Sequence, residues 1–346
     1  MADLIITDAG RDALVASGLL LGTVEGMVNY RVVASLPEVS RLLHDARRAY
    51  TRITVCGIPG ADSGSLRSSL TVLQARGTRV RWLDSHDMLW TEALREQFRR
   101  LDVELLLPDP HRPETERVSG LTLAYLLDSE NPKAVALADQ LRRSVTEVRT
   151  ADLDGQDWLT LVNAVEHDHR LVANKTIRSV VLRVWEPDGA LSEAEQKLVA
   201  LQRSREARAE RFLARLEAEA PFGQELLSVD GGAYPELRYL RPRLYAEPAR
   251  RRTGSQYLQV LVEKNWAFAC RDPYGSGLDL PVAFLERLFD LDVTVHGYPY
   301  QVTARVESGA DLTERLTKVL EGALEDERKG RNRPSVPSVF DEDIDW

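Results

Sequence analysis

Over roughly the first 110 residues, short runs of apolar, β-favouring residues alternate with amphipathic stretches. LIIT (4–7) precedes a helical pattern over 10–22, and NYRVVA (29–34) one over 36–47. RITVCG (52–57) precedes a helical pattern over 63–76, RVRWLD (79–84) one over 88–99, and VELLL (103–107) closes the series. Runs that are apolar nearly throughout, separated by helices, predict a parallel sheet covered on both faces. In such a fold ligands sit beyond the carboxyl ends of the strands, so the residues just after each run are where chemistry is expected.

The pattern over 117–184 is mainly helical. A long helix is then predicted from LSEAEQ onward, with Ser192 and Glu195 spaced as a capping box and Pro221 and Gly223 as the stop. Its middle is charged and its apolar positions do not keep a heptad, which suits a connector rather than a coiled coil. Strand signals resume in LLSV (226–229), LRYLR (237–241) and YLQVLVEKNWAFACR (257–271). A helix near 281–289, a strand pair over 292–306 and a helix over 311–326 follow. The expected organisation is an α/β domain (1–190), a connector helix (191–222), a smaller α+β domain (223–328) and a disordered acidic tail (329–346).

A chain of 346 residues, 43% hydrophobic and 29% charged, has ordinary globular composition, and its length suits two domains. No apolar run reaches the roughly 20 residues of a membrane helix, and the start MADLIITDAG lacks the marks of a signal peptide. Cys56 and Cys270 are too few for a disulfide framework or a thiolate zinc site. A cytoplasmic protein with no membrane partner is the expectation. The net charge of −9 argues against nucleic acid covering the whole surface, yet arginines cluster within 238–252 and could form a local basic groove. Neither a dinucleotide nor a P-loop glycine pattern is present.

TDAGRDALVAS (7–17), following the first strand, resembles the first motif of the DHH-family phosphoesterases, approximately Thr-His-x-Asp-x-Asp-Gly. VRWLDSHD (80–87) resembles the Asp-His-His motif, RITVCGIPGAD (52–62) stands where that family has a lone Asp, and VNAVEHDH (162–169) where it has its last metal-binding Asp. Further on, RDPYGSGLDLPVAFLERL (271–288) and VHGYPYQVTA (295–304) resemble the substrate-binding arginine segment and the Gly-Gly-His-Pro motif. The resemblance runs through about 325 residues in the family's order. It implies a parallel-sheet DHH domain, a long connector helix and a smaller DHH-associated α+β domain, with a ligand cleft between the two.

Family enzymes hold two divalent metals, usually manganese, between carboxylate and imidazole ligands, which polarise a phosphodiester and generate hydroxide. Carried over residue by residue, the resemblance implies depleted motifs. The first His falls on Asp8, the first Asp on Gly10, the second on Asp12 and the following Gly on Ala13. The lone Asp falls on Cys56 or Gly57, and Asp-His-His becomes Asp84-Ser85-His86. Asp168, between His167 and His169, stands for the last carboxylate. Asp8, Asp12, Asp84, His86 and Asp168 are thus the candidate metal ligands; the alternative is that Asp8 and Asp12 cap or solvate the first helix and that His86 is an ordinary polar residue at a strand end. In the smaller domain the resemblance points to Arg271, Gly297 and Tyr298 as substrate contacts.

Two segments stand apart from the motifs. YPELRYLRPRLYAEPARRRTGSQY (234–257) interleaves arginines with tyrosines, and Arg241, Arg243 and Arg251 are candidate contacts to single-stranded nucleic acid or nucleotide. SVFDEDIDW (338–346) sets Phe340, Asp341, Asp343, Ile344 and Trp346 in an acidic tail. It resembles the acidic, aromatic-ended tails of bacterial single-stranded DNA-binding proteins, which recruit partners. The expected function is therefore a catalytically degenerate binding protein without a cofactor. The alternative is a divergent Mn2+-dependent phosphodiesterase acting on short oligonucleotides or a nucleotide second messenger.

Overall fold

Each apolar run in the amino-terminal part becomes a strand: β1 (Ala2–Asp8), β2 (Val28–Val33), β3 (Tyr50–Cys56), β4 (Arg79–Leu83) and β5 (Val103–Leu106). They pair in the order β2-β1-β3-β4-β5, all parallel. The structure, a computed structural model, describes residues 2–107 and 157–329 except 25, 34–35, 47–49, 85–89, 170, 187–188, 273–276, 299 and 307–311. For Asp12, Thr23, Arg243, His296 and Tyr298 it describes the backbone alone. The helical pattern expected within 108–156, His86, and the tail 338–346 lie outside the described residues.

Because side chains alternate across a strand, the sheet presents two apolar faces. Ile5, Tyr30, Cys56 and Leu83 pack beneath Leu14 of α1 (Arg11–Thr23), Leu161 and Val165 of α5 (Asp157–Asp168), and Val180 of α6 (Asn174–Leu182). Leu4, Ile6, Ile53, Val55 and Trp82 pack beneath Leu43 of α2 (Leu36–Asp45), Leu70 of α3 (Gly64–Ala75) and Phe98 of α4 (Glu92–Arg100). Hydroxyls cap two of these helices: Ser63 Oγ accepts from Leu66 N–H and Thr91 Oγ1 from Leu94 N–H.

The long helix is α7 (Glu193–Glu219), whose 27 residues extend about 40 Å. Its capping box forms as the spacing predicts: Glu195 N–H donates to Ser192 Oγ (3.4 Å) and Ser192 N–H to Glu195 Oε2 (2.8 Å). Arg183 adds a part-buried ion pair, with Nη2 2.7 Å from Glu195 Oε2. The chain divides into two compact units inside this helix, after Gln202.

The second unit is built on a mixed sheet of β6 (Leu226–Asp230), β7 (Tyr257–Glu263), β8 (Trp266–Arg271), β9 (Val293–Tyr298) and β10 (Gln301–Val306), ordered β6-β7-β8-β10-β9. Only β6–β7 is parallel. Phe212, Leu213 and Leu216 of α7 and Ala246 and Ala249 of α8 (Ala246–Thr253) cover one face. Leu280 and Phe284 of α9 (Leu280–Arg287) and Leu316 and Leu320 of α10 (Thr313–Arg328) cover the other.

LRYLR (237–241) is not the strand its composition predicts. It lies between 3₁₀ turns at Pro235–Leu237 and Pro242–Leu244, and Tyr239 adopts φ 66°. Each turn opens on a proline, which fixes φ and has no N–H to give a sheet ladder.

Candidate functional site

The order β2-β1-β3-β4-β5 reverses direction between β1 and β3, the place where a parallel sheet opens a crevice at its carboxyl edge. Thr7 is level with Cys56 and Cys56 with Leu83, so Asp8, Gly57 and Asp84 follow one another across the ends of three adjacent strands. Asp8 Oδ2 accepts from Gly10 N–H at 3.0 Å, a local turn that leads into α1. Gly10, the residue before α1, has no side chain to cap the helix, and Asp12 lies in its first turn. A carboxylate at either position is favoured by the positive helix end.

Gly57 adopts φ 71° and donates its N–H to Leu83 O at 2.7 Å. A Cβ placed there would lie 2.4 Å from Ala13 Cβ, well inside van der Waals contact, with Asp8 Cβ 3.7 Å away. The site therefore rejects any side chain at 57 on two counts, backbone conformation and space. Cys56 next to it is 1% exposed, and burial pushes its thiol up to about 12.

Asp84 is fully buried, and its Oδ2 accepts from Trp90 Nε1–H at 2.7 Å. Trp90 packs edge-on to Trp82 (6.2 Å between centroids) and Phe98 (4.9 Å). Trp82 in turn donates Nε1–H to Ile58 O at 2.6 Å. The sequence reading missed Trp90, because nothing in a tryptophan six positions after a strand-end aspartate marks it as that aspartate's partner. Asp168 is 8% exposed at the end of α5, a helix that packs on the same sheet face as α1. Among the described residues, no three His, Cys, Asp or Glu side chains come together in a group that could hold a metal ion.

In the second unit, the Arg271 guanidinium is buried, donating from Nε to Leu278 O (2.9 Å) and from Nη1 to Asp272 O (2.8 Å). Gly297 faces Val302 in the β9–β10 hairpin, where a Cβ would lie 2.1 Å from Gln301 O. Tyr298 follows it on β9.

Several residues of the arginine–tyrosine segment have partners within the fold. Tyr245 and Tyr257 are buried, and Tyr234 stacks edge-on to Phe212 and donates to Glu219 Oε2. Glu247 takes Arg250 and Arg251, and Glu210 binds Arg252 through both of its carboxylate oxygens at 2.8 Å. Arg241 precedes the turn at Pro242–Leu244, and Arg243 lies within it.

A solved structure described as a DHH domain, from a member of the s1p family of ribosomal proteins, superposes with a TM-score of 0.60 at 15% identity, covering 93% of this chain and 86% of its own. The chain has the fold of the DHH-domain proteins. RecJ from Thermus thermophilus, solved with Mn2+, aligns at a TM-score of 0.47 and 14% identity, covering 94% of this chain and 52% of RecJ, so the chain spans about half of that protein. No protein-family profile and no curated protein matches the sequence. Among the described residues, no helix is long and apolar enough to cross a membrane.

Proposed function

We propose that this chain is a DHH-type protein whose metal centre has been closed, acting in the cytoplasm as a nucleic-acid- or nucleotide-binding protein. The observation that carries the reading is the contact between Gly57 and Ala13. The resemblance puts a bridging carboxylate at 56 or 57 and a glycine at 13. Here the bulk is reversed, and a Cβ at 57 would strike Ala13 at 2.4 Å. The other candidate, Cys56, points into the core. A two-metal centre needs a bridging ligand between its ions, so these residues do not fit one. Asp84 supports the same reading: a carboxylate engaged by Trp90 in an aromatic cluster contributes to the fold without any metal.

Partner recruitment is assigned to the acidic, aromatic end of the chain, through Phe340, Ile344 and Trp346 flanked by Asp341 and Asp343. The second reading, a divergent manganese phosphodiesterase, is favoured by Asp8 and Asp84 flanking Gly57 at the strand ends.

Manganese calorimetry followed by hydrolysis of a short single-stranded oligonucleotide separates the two. The proposed function expects no manganese-dependent turnover, with oligonucleotide or nucleotide binding retained in the presence of chelator. Tight manganese binding with turnover that vanishes in Asp12→Ala makes the second reading correct.

A further inference from the structure

Tyr239 is displayed in a way that stability does not explain. Its ring is 80% exposed, yet its backbone is held at φ 66°, where a bulky residue is disfavoured. The turn that carries it is anchored on both sides. Leu237 and Leu240 on either side are buried, and Leu240 N–H donates to Leu237 O at 2.9 Å. Arg208 of α7 reaches across the sequence, donating from Nη2 to Glu236 O at 2.9 Å and also to Arg238 O. Arg238 lies on the ring itself, its guanidinium carbon 5.0 Å from the centroid. Acidic side chains near this turn are Glu236 and Glu219; Glu219 is taken up by Arg215 and Tyr234.

A strained backbone that presents an aromatic ring to solvent, with one guanidinium against that ring and a second bound to its turn, matches what an unpaired base and its phosphate require. The ring offers a face for stacking, which every base can use, and the guanidiniums offer positive charge to the phosphate. Tyr234, Tyr245 and Tyr257 are committed to the fold, so Tyr239 is what remains of the segment's aromatic surface. From this geometry we infer that Tyr239, backed by Arg238, is a stacking platform for a nucleobase of single-stranded nucleic acid. The inference rests on the nucleic-acid reading above and adds to it the place of contact. Preorganisation by Arg208 lets the ring stack without first ordering a loop.

The test is fluorescence anisotropy of a labelled oligothymidylate with the full chain, beside competition by thymidine monophosphate. Tyr239→Ala is expected to weaken the oligonucleotide about 5- to 100-fold, the range set by one stacked base. Tyr239→Phe should bind like wild type, and Arg238→Gln should bind less tightly and lose part of the salt dependence. Loss of monophosphate competition together with strand binding identifies a single-nucleotide platform, and loss of strand binding alone identifies a strand contact. If wild type binds the oligonucleotide while Tyr239→Ala binds it equally well, the platform is wrong and the nucleic-acid reading stands. If wild type binds neither probe, both are overturned. Circular dichroism and thermal melting of each variant distinguish a lost contact from a lost fold.

Discussion

Gly57 and Ala13 are complementary: the α1 methyl occupies the space that any side chain on Gly57 would need, with 2.4 Å between the Ala13 Cβ and a Cβ built at 57. The consequence is measurable. Gly57→Ala is expected to lower stability by about 3 kcal/mol, the sum of left-handed backbone strain and overpacking. Ala13→Gly in the same chain should recover the overpacking part and leave the backbone part. A double-mutant cycle in urea therefore gives a coupling of about 1 kcal/mol or more, and strict additivity would mean the two do not touch. By the same logic Gly57→Asp alone gains no manganese affinity, whereas Ala13→Gly/Gly57→Asp has room for the carboxylate.

Asp84 and Trp90 form a second coupled pair. The carboxylate is fully buried and takes the indole N–H at 2.7 Å. Trp90→Phe removes that donor while keeping most of the ring packing against Trp82 and Phe98. The expected cost is about 1–2 kcal/mol, the penalty for stripping a donor from a buried polar acceptor. Asp84→Ala in the Trp90→Phe background should cost less than the two single changes added together, since the acceptor and its donor then leave as a pair. Chemical denaturation of the four proteins measures the coupling directly.

Arg183 and Glu195 tie α7 to the segment after α6. Hydrogen bonding from Arg183, reinforced by Ser192, lowers the Glu195 carboxyl from its ordinary 4.5 to about 2. A carboxyl with a depressed folded-state pKa stabilises the fold above its unfolded value and loses that contribution as pH falls toward the folded value. Wild type should thus exceed Glu195→Ala by about 2 kcal/mol at neutral pH, the scale of a charge-assisted pair whose Arg183 keeps its bonds to Gly189 O and Ala190 O. The gap is expected to close between 4.5 and about 2. Melting temperatures across that window test it, and a gap that does not change with pH would assign Glu195 a purely packing role.

The sheet was legible in the sequence because its strands are buried on both faces and are separated by helices of clear period. That one-dimensional signal also says that residues just after the strands reach the carboxyl edge, and the resemblance to the DHH motifs then singled out Asp8, Cys56 or Gly57, and Asp84. What they do there was not legible. The positive φ of Gly57 and the nearness of Ala13 depend on how α1 leaves β1. Arg252 binds Glu210, 42 residues earlier in the chain, across the packing of α8 on α7. A composition that reads as a basic surface therefore also carries ion pairs, to Glu247 and Glu210, while Arg251 and Arg252 stay partly exposed, and the helix that carries them was concealed by its charge. LRYLR failed as a strand for a local reason, the two prolines that bracket its turn.

Tyr239 offers a prediction in which stability and binding move in opposite directions. Its left-handed backbone costs a non-glycine residue about 1–2 kcal/mol, and its ring, 80% exposed, returns little by burial. Tyr239→Gly removes the steric cost and adds chain entropy to the unfolded state, two effects that partly offset. The net expectation is a variant as stable as wild type or up to about 1 kcal/mol more stable. Tyr239→Ala, which keeps the Cβ and therefore the strain, should gain nothing. If Tyr239→Gly melts well below wild type, the ring contributes to the fold after all, and its display to solvent requires another explanation. A raised or unchanged melting temperature combined with weakened oligonucleotide binding would mean that the strain is retained for recognition.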